Sequence, residues 1–295
     1  MLTSLYRKAL PLSIRQPIYD FFLGNVVFFF RNLSIIAQSK TAWLASFVLP
    51  KSEENAALAF MGKHGLTSYP YPYALEYFNF EIKVERNTEL NLLYVIHNKR
   101  KLYFPDFYTV EKIKKDYRAL LIEQDERAAH RYVRNYDELK DRILLDVGAA
   151  EASFALDTIE LTNRIIIFEC MEHWQKPLEA TFAPWSNKVT IVKKYIGNKT
   201  TGEFVTLDDF LKDESKDNLF IKRDIEGAER MALAGAEKTL QTGKNIQLAV
   251  CTYHRKGDPE YMDDLLKGYG YKTEFSEGLM YWNKRLSRGV IRAKK

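Results

Sequence analysis

The chain has 295 residues, 46% hydrophobic and 28% charged, with a formal net charge of +5. This is ordinary globular usage, which excludes a wholly disordered, collagenous or disulfide-scaffold protein and suits one large domain or two modest ones. Cys170 and Cys251 are the only cysteines, which argues against a secreted disulfide framework and excludes a four-cysteine zinc site.

Residues 1–40 carry Arg7, Lys8, Arg15, Arg31 and Lys40 against one acid, Asp20. The apolar run 21–30 (FFLGNVVFFF) is about half the roughly 20 residues a membrane-spanning helix needs. Arg15, Pro17 and Asp20 precede it and no small-residue cleavage site follows, so it is a poor signal peptide. Residues 1–50 are expected as an aromatic, basic helical segment, either docked on its own domain or lying on a membrane surface. The expected location is cytoplasmic, with peripheral membrane contact as one reading of this front. Residues 51–140 are expected as a small α+β accessory region. It comprises a helix over 51–62, a proline-punctuated link at 69–73 (YPYPY) and strands over 80–84, 92–97 and 101–104. A helix over 110–128 follows, with Ile113, Tyr117, Leu120 and Leu121 at helical spacing.

From 141 the pattern changes. Short apolar strands over 143–147, 165–169, 189–193, 219–224 and 246–251 alternate with helical stretches over 152–161, 172–182 and 228–240. Such alternation predicts a parallel sheet covered on both faces. Residues 271–283 read as an edge hairpin closing a main domain of 141–283. Residues 284–295 read as a basic tail with Lys284, Arg285, Arg288, Arg292, Lys294 and Lys295. Basic ends of this kind suit nucleic acid, anionic lipid or an acidic glycan, or are simply solvated.

Ligands of open α/β sheets bind beyond the carboxyl ends of the strands. The first strand runs into Asp146, Gly148, Ala149, Ala150 and Glu151. A dinucleotide fingerprint wants glycines at 148, 150 and 153, where this chain has Gly148, Ala150 and Ser153. The loop therefore fits a pyrophosphate poorly and a phosphate-free nucleoside better. Glu169 stands 23 residues past Asp146, a spacing at which an acid commonly accepts the ribose hydroxyls. Asp224 ends another strand and is followed by Glu226. Three strand-end acids suggest a negative cleft, in which a sulfonium about 5 Å from a carboxylate gains ~3 kcal/mol at an effective dielectric of ~20. This points to S-adenosylmethionine; the competing reading is that the acids only cap helices.

By residue type, His254 is the best general base, an imidazole ready to accept a proton near pH 7, with Asp224 and Glu226 as rivals. Asp224 is equally suited to hold the methionine moiety, and Glu226 to begin a helix. If the strand continues, Tyr253 points to the opposite face from His254. Cys170 is expected to pack near the adenine, and Asp208 and Asp209 to cap the helix they open. His64, His97, His130 and His173 lack metal-like spacing, and no metal is expected.

The segments 146–156 (DVGAAEASFAL), 165–170 (IIIFEC), 205–211 (VTLDDFL), 220–240 (FIKRDIEGAERMALAGAEKTL) and 248–254 (LAVCTYH) resemble the FkbM family of S-adenosylmethionine-dependent methyltransferases. The resemblance implies an α/β class I methyltransferase fold, Rossmann-like, with a mostly parallel seven-stranded sheet. It also implies O-methylation of a sugar, glycan or other polyhydroxylated natural product. With the strand-end rule it implies cofactor binding by Asp146, Gly148, Ala149, Ala150, Glu151, Glu169, Cys170 and Asp224, and catalysis by His254, Asp224 and Glu226. Two positions depart from it. Ala152 stands where many members have glycine, and Arg223, where an apolar residue is expected, would put a cation beside the site to read an acidic substrate. The stretch 117–132 (YRALLIEQDERAAHRY) resembles a segment of some bacterial members, and is expected to contact cofactor or substrate. Two other functions stay open: a nucleic-acid methyltransferase, and a non-catalytic cofactor-binding protein. The first lacks an Asn/Asp-Pro-Pro-Tyr/Phe tetrapeptide and a Pro-Cys nucleophile, so no nucleic-acid partner is expected; the second draws on Ala152 and Arg223.

Overall fold

The computed structural model describes residues 25–295, so the expectations for Arg7, Lys8, Arg15, Asp20 and the start of the apolar run lie outside the described residues. The chain divides into two compact units, Met1–Pro70 and Tyr71–Lys295. The break thus falls in the proline-punctuated link rather than at residue 50.

In the first unit, α1 (Asn25–Leu44) packs against α2 (Glu53–His64). Ser52 caps α2 by accepting the Asn55 N–H at 3.2 Å. The helices meet backbone to backbone at Gly62, where a Cβ would fall 2.1 Å from the Ser39 carbonyl oxygen. Ile35, Ala42, Ala57 and Met61 are buried, while Phe28, Phe30, Leu44, Phe47 and Val48 stay exposed. No helix among the described residues is long and apolar enough to cross a membrane.

The second unit opens with the short helix α3 (Tyr73–Glu76) and an antiparallel sheet of β1 (Val84–Asn87), β2 (Leu92–His97) and β3 (Arg100–Phe104). The first strand starts where the expected 80–84 strand ends. Asn87 Oδ1 accepts the N–H groups of Glu89 and Leu90, and the turn it closes sets Val84 opposite Val95. Helix α4 (Val110–Glu123) is capped by Thr109.

The main sheet then begins with β4 (Ile143–Val147), α5 (Ser153–Asp157), β5 (Arg164–Phe168), α6 (Glu172–Phe182) and β6 (Val189–Val192). The short strands β7 (Tyr195–Ile196) and β8 (Phe204–Val205) and the turn of helix α7 (Leu207–Phe210) lead to β9 (Leu219–Arg223). The single helix expected over 228–240 is two, α8 (Glu229–Ala234) and α9 (Glu237–Thr242). The break has two causes. Gly235 lies so close to the Gly197 carbonyl that a Cβ would sit 1.9 Å from it, and Asp208 caps a new helix by accepting the N–H groups of Lys238 and Thr239. Asp208 therefore caps α9 rather than its own helix, whose cap is Thr206.

After β10 (Gln247–Cys251) come α10 (Asp258–Gly268), β11 (Lys272–Phe275), β12 (Met280–Trp282), β13 (Arg285–Ser287) and β14 (Val290–Lys294). The sheet order is β11-β14-β10-β9-β4-β5-β6; β14 is antiparallel to both its neighbours, so β11 runs in the same direction as the five parallel strands β10, β9, β4, β5 and β6. The mostly parallel seven-stranded sheet is thus present. Its ends correct two expectations. β11 pairs with β14 and β12 with β13, so 271–283 is no hairpin. Residues 284–295 are no tail: β14 lies between β10 and β11, with Val290, Ile291 and Ala293 buried.

Candidate active site

The sheet changes direction of winding at β4, whose neighbours are β5 and β9. The loops leaving these strands meet tightly. Asp224 N–H donates to Val147 O at 3.1 Å, and a Cβ on Gly148 would fall 2.0 Å from the Asp224 carbonyl oxygen. With φ at +75°, position 148 therefore needs glycine on two counts. Ala150 and Ala152 also adopt left-handed backbone, at φ of 48° and 58°. For alanine this costs about 1 kcal/mol each, so the departure at Ala152 places a strained residue where glycine would be free of that cost.

Glu169, just past β5, ties this loop down. Its Oε2 accepts the Ala150 N–H at 2.9 Å and its Oε1 accepts the Met171 N–H at 2.7 Å. Each oxygen keeps a lone pair for a further donor. The loop's amides are correspondingly committed: Gly148 N–H donates to Phe168 O, Ala150 N–H to Glu169 and Ala152 N–H to Ala149 O. Such a loop has little to offer a phosphate and leaves a carboxylate facing a diol-sized partner, which fits a nucleoside without phosphates. Glu151, beside it, has its carboxyl pushed up to about 8, by burial first and by Glu123 second. It is therefore largely neutral at pH 7. Cys170 is half-buried, and burial pushes its thiol up.

The acids of the expected negative cleft have local partners. Asp146 is fully buried and lies 2.9 Å from Lys222 Nζ, which also donates to Gly148 O at 2.7 Å. Burial opposes the Lys222 charge, but Asp146 and Asp224 outweigh it and raise its pKa. Asp224 accepts the Tyr132 hydroxyl at 3.0 Å, and its Oδ2 is 3.2 Å from His130 Nε2. Burial opposes its ionisation too, yet His130, Lys222 and His254 hold it well below the usual carboxylate range. Asp146, Asp224 and Glu169 are thus each paired locally, with a cation, an imidazole or amide donors.

His254 sits beyond β10 with its side chain buried. Its Nε2 is 3.6 Å from Asp224 Oδ1 and 3.7 Å from Glu226 Oε2; its Nδ1 is 2.8 Å from Glu229 Oε1. Burial would lower its pKa, but Glu229, Asp224 and Glu226 together raise it. The ring expected as a free imidazole near neutrality is therefore held protonated to higher pH. Glu226 is exposed, at a left-handed φ of 53°, on the rim. Tyr253 does not point away. The strand has ended at Cys251, its ring lies 4.1 Å from the His254 ring, and its hydroxyl is 3.2 Å from His130 Nε2.

The structure thus brings Asp146, Gly148, Ala149, Ala150, Glu151, Glu169, Asp224, Glu226 and His254 to the ends of β4, β5, β9 and β10. Sequence reading missed Glu123, His130, Tyr132, Lys222 and Glu229 as individuals. The 117–132 resemblance pointed to the first three, and strand periodicity could have paired Lys222 with Asp146, since both lie in register on adjacent strands. Arg223 is a correction: alternation turns it to the opposite face from Lys222, fully buried, where it reaches no substrate. Ligand atoms of His130, Asp224 and Cys251, and of Asp224, Glu229 and His254, lie within 4.8 Å of one another, close enough to chelate a cation. Both imidazoles are instead raised toward their protonated forms, which opposes metal binding there.

The family model of the FkbM methyltransferase domain matches residues 104–273. No curated protein matches the chain. Among solved structures, a FkbM methyltransferase from Methylobacillus flagellatus KT is 18% identical with a TM-score of 0.43; the match covers 91% of this chain and 60% of that one. Magnesium protoporphyrin IX methyltransferase from Synechocystis PCC 6803, solved with bound S-adenosylmethionine, is 13% identical with a TM-score of 0.40, over 64% of this chain and 86% of that one. A fibrillarin pre-rRNA processing protein from Methanococcus jannaschii is 9% identical with a TM-score of 0.38, over 73% and 97%.

Proposed function

The chain belongs to the FkbM methyltransferase family, and from that premise we propose that it transfers a methyl group from S-adenosylmethionine to a hydroxyl of a sugar, glycan or other polyhydroxylated natural product. The observation that carries this reading is the pairing, at the ends of one sheet, of an amide-anchored carboxylate on the glycine loop with an imidazole backed by carboxylates. Glu169 would accept the ribose hydroxyls, and the 148–151 loop and Cys170 would flank the adenosine. Asp224 would take the charged methionine end. The cofactor supplies an electrophilic methyl and a neutral leaving sulfur.

The protein's part is to orient the acceptor and to take its proton. His254 Nε2 is the acceptor atom for that proton. Because Glu229, Asp224 and Glu226 raise the ring's pKa, its protonated form must lose a proton before it can act as the base. Exposed Glu226, 3.7 Å from Nε2, offers the route to solvent. Turnover should therefore rise with pH through the raised His254 pKa. Residues 1–70 form a separate unit whose exposed Phe28, Phe30, Phe47 and basic Arg31 support a peripheral contact with an anionic membrane surface, at the cytoplasmic face.

Incubation with methyl-labelled cofactor and a panel of neutral and acidic glycans tests the proposal. Label on a sugar oxygen is the expected result. Cofactor binding with no transfer to any oxygen would count decisively against it.

A further inference from the structure

We infer that Glu229 is the positioning residue of His254, the group that fixes which ring nitrogen carries the proton. This rests on the reading of His254 as the base. Glu229 is 0% exposed and heads α8. Its Oε1 accepts the N–H groups of Ile225 at 3.1 Å and Gly227 at 3.2 Å, which fix its place, and it meets His254 Nδ1 at 2.8 Å. An ionised carboxylate only accepts, so the ring nitrogen facing it must carry a proton. The neutral ring is then the Nδ1–H tautomer. Its Nε2 lone pair is left on the side of Asp224 and Glu226, where an acceptor hydroxyl has to approach.

The other groups around His254 are Asp224 and Glu226 from the loop after β9, His130 across Asp224, and Arg285 of β13, which donates to the His254 carbonyl at 3.3 Å.

Imidazole nitrogen-15 NMR of the full chain, without cofactor or acceptor, tests this. Above its titration, wild-type His254 should show Nδ1 protonated and Nε2 bare. Glu229→Gln should lower its protonation constant about tenfold or more, the effect of one lost adjacent charge. If Glu229→Gln does not fold, Glu229→Asp keeps the charge but withdraws it, and a mixture of tautomers is expected. A wild-type ring protonated at Nε2, or an unchanged midpoint in Glu229→Gln, overturns the positioning role. None of these readouts needs methyl transfer, so failure to find a glycan acceptor would leave them standing or falling on their own.

Discussion

Glu151 offers a direct test of the charge states at the site. Its carboxyl is pushed from 4.5 up to about 8, chiefly by burial and then by Glu123. A carboxyl raised on folding contributes most below its unfolded value, and loses that contribution as pH rises toward the folded one. The window here runs from about pH 4.5 to 8. At pH 7 the native group is still mostly protonated while the unfolded chain is ionised, so folding takes up a proton. At roughly 1.4 kcal/mol per pH unit the penalty reaches ~3 kcal/mol, and partial solvent exposure reduces it to about 1–2 kcal/mol. Glu151→Gln copies the neutral carboxyl without the proton. The variant should therefore match wild type near pH 4.5 and exceed it by about 1–2 kcal/mol at pH 7.5, read from urea midpoints in parallel titrations. It should also keep wild-type cofactor affinity at pH 7. A stability difference that stays flat with pH would refute the reasoning, because it would mean the native carboxyl is ionised like any surface acid.

Three further outcomes are expected. Glu169→Ala should weaken S-adenosylhomocysteine binding by about 1.5–3 kcal/mol in calorimetry and also lower the melting point, because two loop amides lose their acceptor; unchanged affinity would remove Glu169 from the site. His254→Ala should cut turnover by about 10²–10⁴-fold and abolish the acid limb of the rate profile, which in wild type lies above the ordinary histidine value of 6.5. A variant with the wild-type acid limb would move the base to Asp224 or Glu226. Gly148→Ala should unfold the loop or the domain, since its Cβ would meet backbone at 2.0 Å; a variant with an unaltered melting curve would show that the loop leaving β9 can yield.

The five parallel strands were legible because each is a short apolar run, and burial on both faces demands that. Boundaries shifted by only a residue or so, as with Arg164–Phe168 against an expected 165–169. The last strand was hidden by its charge. Arg292 and Lys294 made 284–295 look solvated, while the apolar Val290, Ile291 and Ala293 carried the signal of a buried strand. In the site, acids at strand ends could be named from position alone. Their partners could not, because the pairing of Asp146 with Lys222 or of Asp224 with His130 depends on register and on a segment nearly a hundred residues away. His254 was legible as a base by residue type; its protonation state was not, since that follows from three carboxylates converging in space.

These pairings change the reason why the site should prefer a phosphate-free nucleoside. Charge is only part of the cause, for Asp146 lies 2.9 Å from Lys222 and Asp224 3.2 Å from His130. The stronger cause is the supply of donors. A phosphate-binding loop presents backbone N–H groups to its ligand, often at the start of a helix. Here the amides of Gly148, Ala150 and Ala152 are already taken by Phe168, Glu169 and Ala149, and the helix that follows, Ser153–Asp157, is little more than one turn. What the loop does present is an acceptor, the Glu169 carboxylate, and a neutral donor, the Glu151 carboxyl. A ligand with a vicinal diol and a carboxylate meets both needs. A pyrophosphate meets neither, and would bring its charge against Glu169, with the Gly148, Ala150 and Ala152 amides already bonded elsewhere. Selection thus comes from which hydrogen-bonding groups remain uncommitted, a property set by the loop's own backbone path rather than by the count of acids around it.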